Sequence, residues 1–263
     1  MKHCHHPGAL PLLRILIFGL SLAVLGGCES GSTDDDDTTD DDDATDDDDA
    51  TDDDDDSGAG LKEEIDGFVI DLETEGPVEG VLVTEHETDP ANTTTTDKKG
   101  AFELTLQNSG EADLVFEKSG YISTLYLGNT SKQFGKFEFE IVQSAKELKV
   151  YKEDFGIPFD ASKALVIVDL LGPGDEIFSG ISVDLDGTYG SSWIINGNDR
   201  LGSGNTVLED SLESIVMFTD VVPGSIGMTL NTPDGVLCSD RSLITVLAGH
   251  YVRVVVRCEM TGG

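Results

Sequence analysis

The chain has 263 residues, with 52 aspartates and glutamates against 16 lysines and arginines, so its formal net charge at pH 7 is −36. This balance argues against nucleic acid as a partner, because phosphate binding needs basic patches. An anionic membrane surface would also repel the chain.

The first 27 residues have the organisation of a secretory signal peptide. Lys2 and Arg14 precede a short apolar run that begins at Ile15 and ends in small residues. A basic head, an apolar core and small residues before the cleavage point are typical of such a signal. The run is shorter than the roughly 20 residues of a membrane span. The alternative is a slightly short anchor that is never cleaved.

The end of this run, Leu25-Gly26-Gly27-Cys28, resembles the lipobox of bacterial lipoproteins. The resemblance implies cleavage before Cys28 and acylation of its thiol and its new amino group. Several acyl chains would hold the protein firmly on a membrane, whereas one chain binds only marginally. Glu29 stands where aspartate would imply retention in the inner membrane. We therefore expect an outer-membrane protein, anchored by lipid, on the periplasmic or the cell-surface face.

Residues 28–60 carry the lipidation cysteine and an acidic segment. From Thr33 this segment repeats a threonine followed by four aspartates, and the last unit has five. Such a composition buries too little apolar area to offset chain entropy, so we predict a disordered, extended stalk. A calcium-binding tract is the alternative, although the repeat lacks the turn glycine and bidentate glutamate of an ordered calcium loop. The acidic tract directly behind Cys28 resembles the surface-export signals of some bacterial lipoproteins. The resemblance implies that the protein could be displayed on the cell surface.

The remaining residues predict an all-β fold with two antiparallel β-sandwich domains in tandem, because apolar residues alternate and turn residues separate the runs. The domains cover residues 61–143 and 160–263. Residues 144–159 connect them and contain a short predicted helix. The predicted strands of the first domain are Ile65–Asp71, Gly80–Glu87, Ala101–Gln107, Ala112–Lys118, Ile122–Leu127 and Lys136–Val142. Those of the second are Ala164–Leu170, Gly180–Leu185, Ser192–Ile195, Ile215–Asp220, Ile226–Asn231, Ser242–Leu247 and His250–Cys258.

Four motifs of the first domain resemble the carboxypeptidase regulatory-like family. They are Gly67-Phe68-Val69, Pro77-Val78-Glu79-Gly80-Val81-Leu82-Val83, Thr96-Asp97-Lys98-Lys99-Gly100-Ala101-Phe102 and Lys118-Ser119-Gly120-Tyr121. The third motif has hairpin chemistry, because Asp97 can bond its own backbone and Gly100 can adopt a positive φ. The resemblance implies a transthyretin-like or Ig-like sandwich that serves as an accessory module. The family is grouped with carbohydrate-binding-like folds, which makes a glycan a candidate ligand.

The second domain is a weaker match to the same class. Gly180-Ile181-Ser182-Val183 parallels Gly80-Val81-Leu82-Val83, and Pro223-Gly224 follows an apolar run, but the Thr-Asp-x-x-Gly-x-Phe motif is missing. Cys238 and Cys258 remain after processing, and two cysteines in an exported domain predict a disulfide. A metal pair is the alternative, but His86 and His250 are the only histidines left.

No catalytic motif is present, so we expect no enzyme. Trp193 and Tyr189 lie close to Asn196 and Asn198, and an aromatic ring beside amides can bind a sugar. The alternative places Trp193 in the core. No cofactor is expected, and calcium is a weak candidate. Asp184-Leu185-Asp186-Gly187 favours a strand end and turn over a calcium loop. The acidic side chains that could line a calcium site in the first domain are Glu73, Glu75, Glu85, Glu87 and Asp89.

The sequence therefore predicts a non-enzymatic lipoprotein of the cell envelope with a structural or binding role. Its partners would be the membrane, through the lipid anchor, and a glycan or an envelope protein. A carbohydrate-binding module and a calcium-dependent adhesin are the alternatives.

Overall fold

A computed structural model of the protein describes residues 63–107, 111–129, 137–141, 160–172, 177–196, 200–239 and 241–261. These ranges contain sixteen β-strands and no helix. Nothing in them forms a helix long and apolar enough to cross a membrane. Cys28, the acidic segment, Asn198 and the predicted helix within 144–159 lie outside the described residues.

The strands of the N-terminal half are β1 (Glu64–Asp71), β2 (Leu82–Glu85), β3 (Thr93–Thr95), β4 (Ala101–Thr105), β5 (Glu111–Glu117), β6 (Ser123–Asn129) and β7 (Phe137–Ile141). Those of the C-terminal half are β8 (Ala164–Leu171), β9 (Ser182–Asp186), β10 (Ser191–Asn196), β11 (Arg200–Ser203), β12 (Ser211–Val221), β13 (Gly224–Asn231), β14 (Val236–Cys238), β15 (Leu243–Val246) and β16 (His250–Met260). The all-β sandwich fold predicted from the alternating apolar residues is confirmed. The strands β3, β11 and β14 were not predicted.

One sheet runs through both halves of the protein. Its order is β11-β10-β12-β8-β16-β6-β5-β2-β3, with β14 paired to β16 beside it, and we call it the shared sheet. Two three-stranded sheets pack on it: the N-terminal sheet, β4-β1-β7, and the C-terminal sheet, β15-β13-β9. Antiparallel pairs dominate, but β16 is parallel to β6 and β8, and β1 is parallel to β7.

The two smaller sheets cover opposite faces of the shared sheet. Along β6, Tyr126 packs in the N-terminal core with Phe139, whereas Leu125 and Leu127 pack in the C-terminal core. Successive side chains of a strand point to opposite faces, so neighbouring residues of one strand serve two cores. Likewise, Val254 of β16 packs in the C-terminal core and Val255 packs in the N-terminal core.

The turn at Asp97–Gly100 forms as its residues predict, but it is not the connection of a hairpin. The Asp97 carboxylate accepts hydrogen bonds from the backbone N–H groups of Lys99 (2.7 Å) and Ala101 (2.9 Å), and Gly100 has φ 74°. The turn joins β3 of the shared sheet to β4 of the N-terminal sheet. Local turn chemistry sets the backbone reversal, but β3 pairs with β2 and β4 pairs with β1, so the two strands belong to different sheets.

Two further motif residues hold the N-terminal half together. The buried Thr96 hydroxyl donates to the carbonyl of Val78 (2.7 Å) and accepts the N–H of Val81 (2.9 Å). The Tyr121 hydroxyl donates to the buried Asp71 carboxylate at 3.0 Å. These contacts satisfy buried polar groups at the strand ends.

Candidate functional site

The structural feature with the clearest consequence for function is the seam, which we define as the place where β16 lies between β6 and β8. His250 to Val254 pair with Ser123 to Leu127 of β6. On the other side, Tyr251 to Arg257 pair with Leu165 to Leu171 of β8. The last strand of the chain therefore hydrogen-bonds to both halves, and the halves share backbone contacts as well as side-chain contacts.

A charged cluster crosses the seam on the face that carries the N-terminal sheet. Arg253 of β16 donates from Nε to Asp169 of β8 at 2.5 Å and from Nη1 to Glu140 of β7 at 2.8 Å. Asp169 is buried, and the side chains of Arg253 and Glu140 are 30% and 16% exposed. One guanidinium thus joins two strands of the shared sheet to the N-terminal sheet, with the fork geometry that arginine offers to carboxylates.

The cluster contains more acidic than basic side chains, and the pKa values of its members are shifted. Burial raises the pKa of Glu140, and Arg253 opposes the rise. Burial opposes the charge of Arg253, but Asp169 and Glu140 raise its pKa above the usual value. Burial and then Asp169 raise the pKa of Glu213 on β12 to about 7. Desolvation favours the neutral form of a carboxyl, and a neighbouring negative charge acts in the same direction.

A second ion pair joins the halves on the opposite face. Arg241, which precedes β15, donates from Nη2 to both carboxylate oxygens of Asp113 on β5, at 2.7 Å each. Its Nη1 also donates to the Gly128 carbonyl at 3.3 Å. The two halves are thus held together by β16 in the plane of the shared sheet and by one arginine on each of its faces.

The structure places two of the residues predicted to bind a sugar, Trp193 and Tyr189, in different clusters. Trp193 lies on β10, half-buried, against a cluster that contains Leu165, Met217 and Tyr251. Tyr189 packs edge-on against Phe218, with ring centroids 5.0 Å apart, in the C-terminal core. Asn196 lies at the end of β10, opposite Arg200 and Ser211. Trp193 and Tyr189 therefore do not form one stacking surface.

We expect the change Trp193→Ala to lower the free energy of unfolding by about 2 kcal/mol, because it removes a half-buried aromatic ring from an apolar cluster. Trp193→Phe should retain most of that stability. Urea unfolding followed by circular dichroism measures both variants. A Trp193→Ala protein as stable as the wild type would contradict a packing role and favour a ligand-binding one.

Two of the carboxylates considered as calcium ligands accept hydrogen bonds from other groups of the protein. Asp184 accepts from the side-chain amides of Asn205 (2.8 Å) and Asn231 (2.9 Å). Glu85 is buried and accepts from the backbone N–H of Gln107 and the amide of Asn92. Within the described ranges, no group of three or more histidine, cysteine, aspartate or glutamate residues is placed to hold a metal ion.

A disulfide joins Cys238 of β14 to Cys258 of β16, as predicted. The two cysteines lie opposite each other in the antiparallel ladder. The bond fastens the end of the strand that forms the seam. The two arginines that join the halves were not predicted from the sequence, although a charged residue within an apolar strand, such as Asp169 or Arg253, is a signal of a buried ion pair.

No protein-family model and no curated protein matches the chain. Among solved structures, the minor pilin of Streptococcus agalactiae is 12% identical, with 76% of this chain and 97% of that chain covered and a TM-score of 0.28. The major pilin of Streptococcus pyogenes is 10% identical, with coverage of 78% and 98% and a TM-score of 0.24. The Bacillus anthracis TIE protein is 11% identical, with a TM-score of 0.26; 76% of this chain aligns with 34% of that one, about a third of its length. Likeness at this level carries no functional information.

Proposed function

We propose that this protein is a non-enzymatic lipoprotein of the cell envelope that displays one rigid double β-sandwich on an acidic stalk. The observation that carries the proposal is the shared sheet, which continues from one half to the other through β16. Its role is structural, or it binds an envelope protein.

The extent of the seam indicates that the two halves form one rigid unit. Hinged domains are usually joined by a linker and a modest polar interface. Here β16 pairs with five residues of β6 and seven of β8. Arg253 and Arg241 add ion pairs on the two faces. A mechanical force on one half, or the effect of a partner bound there, therefore reaches the other half without passing through a hinge.

The sequence before the fold supports display at a distance from a membrane. A lipidated Cys28 would anchor the chain, and the aspartate repeats would repel each other and extend the segment. A fully extended chain spans at most about 3.3–3.6 Å per residue, so residues 28–60 could reach roughly 110–120 Å. The proposed location is the outer membrane, on its periplasmic or cell-surface face.

Metabolic labelling with an alkyne fatty acid tests the anchor. The wild-type chain should take up the label and fractionate with the outer membrane, and the variant Cys28→Ser should do neither. Cys4→Ser is the matched control, because it removes the other cysteine of the leader region and should label normally. Equal labelling of Cys28→Ser and the wild type would overturn the lipoprotein proposal.

A glycan array, run with calcium and with chelator, tests the binding role. We expect no retention of the protein on any glycan under either condition. Retention on a defined glycan, independent of calcium, would replace it with the carbohydrate-binding alternative. Retention that is lost in chelator would favour the adhesin.

A further inference from the structure

Glu213 is a third carboxylate at the seam, beside the two that Arg253 binds. It lies on β12, two residues before Ile215, and Ile215 is opposite Asp169 in the ladder with β8. Residues two apart on a strand face the same side. Glu213 therefore lies near enough to Asp169 for the charge of Asp169 to act on it, although the pairing of β12 with β10 is irregular at these residues.

Arg253, the cation that acts on Glu213, is already engaged. Arg253 donates to Asp169 and Glu140, and no described residue forms an ion pair with Glu213. The groups that face it are Asp169 on β8, Arg253 on β16 and Glu140 on β7. Two further ionisable groups belong to the cluster: Glu138 on β7, whose charge acts on Glu140, and Tyr126 on β6, on which Arg253, Asp169 and Arg257 act. Among the described residues, one arginine thus serves two carboxylates, and no cation pairs with the third carboxylate beside them.

We propose that Glu213 makes the seam sensitive to pH near neutrality. When Glu213 is ionised, it repels Asp169 and Glu140 and weakens the attachment of the two halves. When it is protonated, Arg253 holds the remaining two carboxylates without competition. The protein is then more firmly joined at mildly acidic pH than at alkaline pH.

The direction of the effect follows from linkage. The usual pKa of a glutamate is 4.5, and burial raises the pKa of Glu213 in the folded protein to about 7. Between these values the folded state binds more protons than the unfolded state, so stability falls as the pH rises. The contribution of Glu213 to stability is present below pH 4.5 and is lost by the time the pH passes 7. The raised pKa of Glu140 acts in the same direction.

Thermal unfolding of the purified full chain at pH 5 and pH 8 tests the proposal. Glu213→Gln should raise Tm at pH 8 by about 4 °C over the wild type and leave it within about 1 °C at pH 5. Glu209→Gln is the matched control, because it removes the same charge from an exposed position just before β12. It should leave the difference between the two pH values as in the wild type.

Hydrogen exchange locates the effect. After correction for the intrinsic pH dependence of exchange, the amides that join β16 to β6 should lose protection in the wild type between pH 6 and pH 8. The amides that join β9 to β13 should not, and Glu213→Gln should keep the β16 amides protected. A Tm difference between pH 5 and pH 8 that is as large in Glu213→Gln as in the wild type, or equal loss of protection across the whole molecule, would overturn the proposal.

Discussion

Replacement of Arg253 with alanine is expected to lower the free energy of unfolding by about 3 kcal/mol. The change leaves Asp169, which is 1% exposed, as a buried carboxylate without its cation. Removal of one partner of a buried ion pair costs about 3–5 kcal/mol, and the lower value applies because Arg253 is itself 30% exposed. Urea unfolding of the full chain at pH 7 measures the loss.

The double variant Arg253→Met, Asp169→Asn is the control for this prediction. It removes the buried negative charge together with its partner, so it should be more stable than Arg253→Ala alone. If Arg253→Ala unfolds at the same urea concentration as the wild type, the ion pair does not stabilise the seam.

Removal of the disulfide by Cys238→Ala and Cys258→Ala together is expected to cost about 3 kcal/mol. The bond closes a loop with a sequence separation of 20 residues and limits the entropy of the unfolded chain. It also holds β14 against the end of β16. For a folded body of this size, we expect Tm to fall by about 6–12 °C.

Reducing agent provides the matched comparison for the disulfide. It should lower Tm of the wild type towards that of the double variant and leave the double variant unchanged. A double variant that melts within 1 °C of the oxidised wild type would contradict the prediction.

The alternation of apolar residues was sufficient to predict most strands. β4 shows why, because the buried Phe102 and Leu104 alternate with the exposed Glu103 and Thr105. The prediction missed β3, which consists of three threonines at the edge of the shared sheet. A short polar strand at an edge has no buried face, so it leaves no periodic signal.

The shared sheet could not be predicted, because strand pairing depends on partners far apart in the sequence. The pattern of β16 does show that it is buried on both faces, since Tyr251, Val252, Val254 and Val255 are all buried. That pattern is typical of a central strand. It does not identify β6, which lies more than 100 residues away, as a neighbour. The charge cluster depends on that pairing and was missed for the same reason.

The sugar-binding hypothesis assumed that aromatic residues close in the sequence lie on one surface. Tyr189 and Trp193 are four residues apart, yet they pack in different clusters. Side chains close in sequence form one surface only when the local backbone turns them to the same side. The orientation of these two side chains could not be predicted from the sequence pattern.

Hydrogen exchange of the full chain under native conditions is the most direct test of the proposed rigid unit. We expect the amides between β6 and β16 to exchange as slowly as those between β8 and β16, because both ladders should open only when the whole protein unfolds. Exchange between β6 and β16 that is faster by orders of magnitude, with β8 and β16 still protected, would mean that the halves separate while folded. That result would contradict the account of the seam as a rigid joint.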